Sequence, residues 1–219
     1  MGITFWIQQL LFPQACLGCK RAGHVLCPTC MNESLNPDIR WLYMHVPHLS
    51  AARYKHPHIK GSIRHLKNRA DRSLAQNMAR AMYNVSIADV SEWCLKKGIE
   101  HVYVVPIPWC TQRRAFDTKT HNHAGMLAKA WCAQDASFFS LSNILSCKRR
   151  VPKQALMHTK NERARNRADL YHVTQTCSKT AGYLVIDDMS TTGATLKSAV
   201  YTLRKAGAKH ILVATFARK

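Results

Sequence analysis

The apolar positions change rhythm along the chain, and the change divides it. Between residues 53 and 84 they recur at helical spacing, with Ile59, Ile63 and Leu66 on one stripe and Leu74, Met78 and Met82 on the next. Residues 86–97 predict a further helix that stops at Gly98. From His101 the apolar positions become continuous. His101-Val102-Tyr103-Val104-Val105 is a β-branched run halted by Pro106, Tyr183-Leu184-Val185-Ile186 is a second, and Ile211 to Phe216 a third. Runs that are apolar at every position predict strands covered on both faces. Helices predicted over 122–133 and over 194–206, the latter closed by Gly207, alternate with these strands. The expectation is an α/β fold with a parallel sheet flanked by helices. Residues 32–50, with Asn36, Pro37 and Pro47, read as a connector, and residues 1–13 as a short amphipathic helix.

Charge adds a partner class to this picture. The chain has 219 residues, of which 32 are Lys or Arg and 12 Asp or Glu, a formal charge of +20. A hydrophobic content of 47% excludes wholesale disorder. The excess of positive charge points to polyanions, nucleic acid first. Two basic stretches carry it. The first holds Lys60, Arg64, Lys67 and Arg69; the second holds Lys148, Arg149, Arg150, Lys153, Arg163, Arg165 and Arg167. Both are expected to hold a nucleic-acid backbone, single-stranded DNA above all, by phosphate contacts without sequence readout; a solvated helix face is the alternative. Tyr54, Trp109, Phe116 and Tyr171 lie in or beside basic stretches, where rings can stack on bases, although each alone reads as a packing residue. No apolar run reaches the roughly 18 residues of a membrane span. Peripheral membrane contact through residues 1–13 stays open, and the expected location is cytoplasmic.

Cysteine usage supports that location. Four of the nine cysteines, Cys16, Cys19, Cys27 and Cys30, form two C-x2-C pairs separated by a short spacer. Each pair lets two thiolates reach one ion, and two pairs close a tetrahedral Zn(II) site with no open position, which makes the metal structural. Redox-active pairs are the alternative. Cys94, Cys110, Cys132, Cys147 and Cys177 are scattered and read as small buried apolar residues.

The densest chemistry follows the second apolar run. Asp187 and Asp188 end it, and Ser190, Thr191, Thr192, Gly193, Ala194 and Thr195 lead into the next helix. Loop amides and hydroxyls there can wrap a phosphate at the helix N-terminus, and Gly193 lets the backbone come close. The adjacent acids sit where the vicinal hydroxyls of a sugar or a hydrated Mg(II) would lie. The D-D-x-x-T-T-G-x-T pattern resembles the phosphoribosyl-pyrophosphate motif of the type I phosphoribosyltransferases. That resemblance implies that Asp187 and Asp188 meet the ribose 2′ and 3′ hydroxyls and that Thr191 to Thr195 bind the 5′-phosphate.

A four-cysteine finger ahead of such a domain is similar to the ComF family, bacterial competence proteins. Val105-Pro106-Ile107-Pro108 resembles that family's V-P-x-P, Asn122-His123 with Leu127-Ala128 its N-Q/H…L-A, and Gln154, Arg163 and Asn166 its Q…R-x-x-N. In the pyrophosphate region the family writes R-G-F-N-Q, whereas this chain has Lys119-Thr120-His121-Asn122-His123. Arg113, Arg114 and Lys119 remain candidates to meet a pyrophosphate. The resemblance implies a type I phosphoribosyltransferase-like sheet over 99–219, a helix and zinc finger over 1–45, and a basic helical connector over 46–98. It implies a role in natural transformation, with single-stranded DNA and recombination or helicase proteins as partners, and phosphoribosyl pyrophosphate with Mg(II), or a nucleotide, as ligand. An active phosphoribosyltransferase of nucleotide salvage and a purely structural adaptor are the alternatives.

Overall fold

Six strands make the central sheet of the computed structural model, which describes residues 15–110, 121–148 and 170–219. They are β1 (Asp38–Leu42), β2 (Val46–Arg53), β3 (Val102–Pro106), β4 (Phe139–Leu141), β7 (Gly182–Ser190) and β8 (His210–Arg218). Their order is β1-β2-β8-β7-β3-β4, with β1 antiparallel to β2 and every other neighbouring pair parallel. A separate antiparallel pair joins β5 (Leu145–Cys147) to β6 (Tyr171–Val173). The helices are α1 (Pro28–Glu33), α2 (Pro57–Arg69), α3 (Arg72–Lys97), α4 (His123–Cys132) and α5 (Ala194–Lys205). The α/β reading with a largely parallel sheet therefore holds.

Side-chain alternation along the strands splits the core into two layers. Val102, Val104, Leu184, Ile186, Leu212 and Ala214 join one cluster with the apolar stripes of α2, α3 and α4. Val105, Tyr183, Val185, Ile211 and Val213 join the other with Leu196, Ala199, Val200 and Leu203 of α5. The stripe residues Ile59, Ile63, Leu66, Leu74, Met78 and Met82 are all buried, as their spacing predicts. The first cluster also contains Cys16, Val25, Leu26, Cys30 and Met31, so the four-cysteine segment shares the core of α2 and α3.

Three differences from the sequence reading have physical causes. The expected connector over 32–50 instead supplies β1 and most of β2, an edge hairpin clipped to the sheet by an ion pair between Asp38 and Arg218. The helical stretch breaks at Ala70–Asp71, not near residue 85. Ala70 turns left-handed, the Asp71 carboxylate accepts from Leu74 N at 3.0 Å as an N-cap, and α3 then runs uninterrupted to Gly98. Finally, Cys110 and Cys147 are not small buried apolar residues but partners in a disulfide. Spacing alone cannot reveal such a pairing. Cys94 and Cys177 are buried and Cys132 half-buried, as expected of apolar residues.

Candidate functional site

β7 does not end at its acids. It stays paired with β8 as far as Ser190 opposite Arg218, and Lys219 N donates to Ser190 O at 2.9 Å. Period-two alternation therefore sends the two carboxylates to opposite faces of the sheet. Asp188 continues the face of Leu184 and Ile186, towards α2. There the Lys67 ammonium lies 3.0 Å from Asp188 Oδ2, and the acid is 5% exposed. Asp187 continues the face of Val185, near Tyr171, and its Oδ1 accepts from the Asp188 amide at 2.8 Å. Turning the carboxylates apart reduces the repulsion expected of adjacent acids without removing it. Burial, and after it the charge of Asp188, holds the Asp187 carboxyl well above the usual carboxylate range, although its bond from the Asp188 amide and the charge of Lys67 oppose this. Burial, then Asp187, pushes the Tyr171 hydroxyl up as well.

The turn after β7 depends on Gly193, which caps α5 with φ of 70°. Thr192 Oγ1 accepts from Ala194 N at 3.4 Å, and Lys197 N donates to Gly193 O at 2.8 Å. The amides of Thr195 and Leu196 fall in the first turn, where a helix offers donors without internal partners. Thr191, Thr192 and Thr195 are exposed, whereas Ser190 is buried in the strand. A Cβ on Gly193 would lie 3.1 Å from Leu42 Cδ1. Gly193→Ala is expected to cost about 1–2 kcal/mol for the left-handed backbone, lowering Tm by roughly 2–8 °C. An unchanged thermal melt would show that this turn does not require glycine.

A cavity of about 410 Å³ joins these groups. Asp187, Asp188, Thr191 and Thr195 line one side; Ile107, Pro108, Trp109 and Cys110, after β3, line another. Asn122 caps α4 through a 2.9 Å bond from Gly125 N, which sets His123 as the first helical residue and turns it into the cavity. The buried His123 ring donates from Nε2 to Lys67 O at 3.3 Å, and burial lowers its pKa, so it is neutral near pH 7. Its ring meets Trp109 edge-on, with centroids 5.3 Å apart. Spacing gave no signal for the roles of Lys67, His123 or Tyr171. Lys67 comes from a helix far upstream of the acids and meets them only through the fold.

Lys60, Arg64, Lys67 and Arg69 are exposed on α2. Lys60, Arg64 and Lys67 share a stripe at helical spacing that ends at the cavity. Lys148 N donates to Leu170 O at 3.1 Å, and Leu170 lines the cavity. Arg113, Arg114, Lys119, Arg149, Arg150, Lys153, Arg163, Arg165 and Arg167 lie outside the described residues, as do residues 1–13, Phe116, Gln154 and Asn166.

The four cysteines meet as predicted. The Sγ atoms of Cys16, Cys19, Cys27 and Cys30 all lie within 4.8 Å of one another, and Cys19 and Cys27 are 3.8 Å apart. Metal–sulfur bonds of about 2.3 Å in a tetrahedron require sulfurs about 3.8 Å apart, so the donor set fits a metal ion. Two backbone amides support it: Cys27 N donates to Cys16 Sγ at 3.3 Å and Cys30 N to Cys27 Sγ at 3.5 Å. Gly18 allows the tight knuckle, because a Cβ there would approach Cys30 Sγ to 2.7 Å.

Scanned against protein-family models, the chain matches none. No curated protein matches it either. Among solved structures it is similar to the allosteric regulatory enzyme of purine biosynthesis, at 17% identity and a TM-score of 0.39 over 66% of this chain. It is also similar to a hypoxanthine phosphoribosyltransferase from Staphylococcus aureus, at 14% identity and a TM-score of 0.40 over 68% of this chain. The matched regions cover 25% and 65% of those two chains, respectively. No helix among the described residues is long and apolar enough to cross a membrane.

Proposed function

We propose that this chain binds a 5-phosphoribosyl ligand at the cavity between β7 and α5 and uses that site in handling single-stranded DNA during natural transformation. The observation that carries the first half is the gathering of two acids, a threonine-rich turn and a helix N-terminus at the carboxyl end of a parallel strand, where ligands of such sheets bind. In this reading Asp187 and Asp188 accept from ribose hydroxyls. The amides and hydroxyls of Thr191 to Thr195 hold the 5′-phosphate. Mg(II) accompanies a pyrophosphate on the ligand. The four thiolates hold a structural Zn(II).

The second half rests on charge and on the sequence resemblance to the ComF family. A net charge of +20 suits a phosphate backbone, and the α2 stripe leads to the cavity. Recombination or helicase proteins would be its partners. An active phosphoribosyltransferase is the second reading. It is favoured by the placement of two adjacent acids in one cavity, where desolvation and the Asp188 charge raise the Asp187 carboxyl, since perturbed acids in clefts often mark catalysis.

The test is a titration of the purified protein with labelled single-stranded oligonucleotide across a salt series, with and without phosphoribosyl pyrophosphate and Mg(II). Affinity is expected to fall steeply with salt and to change when the small ligand binds. A flat salt response would remove the DNA half. Heat uptake by the small ligand alone, with release of pyrophosphate on adding a nucleobase, would favour the transferase.

A further inference from the structure

We propose that the groove between the β1–β2 hairpin and the end of α3 docks an acidic peptide segment of a partner protein, with the segment's apolar side chains along the groove and its carboxylates at one end. The groove lies against His210, Ile211 and Leu212, where β8 begins, so it opens at the opposite end of the sheet from the cavity after β7. Its occupancy does not depend on what fills that cavity.

The sheet edge leaves this surface uncovered. Ile39 and Trp41 share one face of β1, opposite Leu49 and Pro47 of β2. Leu49 is buried in the cluster that holds the apolar stripe of α3, so this is the helix side of the sheet. α3 packs on β2 and β8, and β1 lies beyond them at the edge. Trp41 stays 71% exposed, and Ile39, Tyr43 and Met44 are exposed beside it in the chain. A run of large apolar side chains in water on a free sheet edge marks an interaction surface. The groove itself encloses about 420 Å³, with Ile39, Trp41, Pro47, Leu49, Trp93 and Leu212 on its walls.

One end of the groove is cationic. Lys97, Lys209 and His210 line it, and the Arg204 guanidinium lies beside them, donating to the carbonyls of Ala208 and Lys209. Burial first, then the charges of Lys97, Arg204 and Lys209, lower the His210 pKa, so three cations crowd one ring. Lys96 is paired with Glu92, but among the described residues no carboxylate pairs with Lys97 or Lys209. The acids of the wall, Asp89 and Glu92, lie earlier on α3. This separation selects the occupant. A peptide can gather its carboxylates at the cationic end and lay apolar side chains along the rest. A nucleic-acid strand carries a phosphate at every nucleotide and would set some of them against Asp89 and Glu92. A second copy of this chain would bring another +20 to the contact.

Fluorescence polarisation of labelled decapeptide pools with the whole chain tests this. The first pool joins a run of Asp and Glu to a run of aromatic and aliphatic residues, in both orders. The second keeps the acids and replaces the apolar residues by Ser and Gly, which measures attraction to bulk charge alone. The third keeps the apolar residues and replaces the acids by Lys. The first pool is expected to bind roughly tenfold or more tightly than either control. Trp41→Ala, at an exposed position, should remove that advantage without changing the thermal melt, and Lys97→Glu with Lys209→Glu should remove it too. Equal binding of the first two pools, or an advantage that survives both variants, would overturn the proposal. Displacement of the first pool by a single-stranded oligonucleotide that itself loses affinity in Trp41→Ala would overturn it in favour of a nucleic-acid site. Sedimentation as a dimer that Trp41→Ala dissociates would overturn it in favour of a contact between copies.

Discussion

Asp187→Asn is expected to abolish binding of phosphoribosyl pyrophosphate while making the folded protein more stable at alkaline pH. Asp187 is half-buried, and desolvation of its carboxyl, with the charge of neighbouring Asp188 after it, raises its pKa in the folded state. Between the ordinary carboxylate value and that raised value the folded protein holds a proton that the unfolded chain has released. Stability therefore falls as pH rises through the interval, and the penalty is complete above the folded-state pKa. Each unit of displacement corresponds to about 1.4 kcal/mol. Asparagine keeps the oxygen that accepts from the Asp188 amide and has no charge to desolvate. The variant's advantage should be absent at pH 4 and grow towards pH 9, read from thermal melts at both ends. A variant less stable at every pH would mean that the charged carboxylate is an anchor in the empty site. The second readout, ligand heat, is independent of the first: in the proposed reading Asp187 meets ribose hydroxyls and Mg(II), and a neutral amide would hold that cation far less well.

Cys30→Ser should release the metal and lower the melting temperature of the whole chain, not of a detached finger. Cys30 is buried, and its segment packs into the cluster that contains Ile59, Ile63 and Leu74. Loss of one thiolate opens the tetrahedron, and the free energy of metal binding is also free energy of folding for such a site. A loss on the order of 3 kcal/mol or more is expected, with the metal-to-protein ratio falling from one towards zero by mass spectrometry. One metal per chain in the variant, with an unchanged melt, would show that Cys30 is not a ligand.

The parts of this molecule that could be read from its sequence are those where local pattern and burial agree. Continuous apolar runs become β3, β7 and β8, and the two C-x2-C pairs converge because their geometry is set within each knuckle. β2 escaped because it is an interior strand that carries Pro47, His48 and Ser50. Its polar groups are matched across the sheet: His48 Nε2 lies 2.9 Å from Thr215 Oγ1, and Ser50 Oγ donates to Asp38 O at 3.3 Å. Burial holds the His48 ring neutral, with its pKa lowered to about 4. β1 escaped for the opposite reason: Ile39 and Trp41, half and 71% exposed, advertise a core that they do not join. At the candidate site the Asp187–Thr195 run was visible because one strand and one turn carry it. Lys67, His123 and Trp109 were each marked singly, as a basic-stretch residue, a motif residue and a ring beside a basic stretch, but their meeting was not legible, because they reach the cavity from three other parts of the fold and no local spacing records which side chains a sheet and its helices bring together.

The bond between Cys110 and Cys147 gives the chain a ring. With a sequence separation of 37, it encloses α4 and β4 in a covalent loop that begins on the cavity wall. In the chain-entropy treatment a loop of this size removes about 4 kcal/mol of freedom from the unfolded ensemble. It also changes what a protease can achieve. A single cut anywhere between the two cysteines opens the ring without dividing the polypeptide, so Trp109 and the acid pair stay on one connected molecule until a reductant separates them.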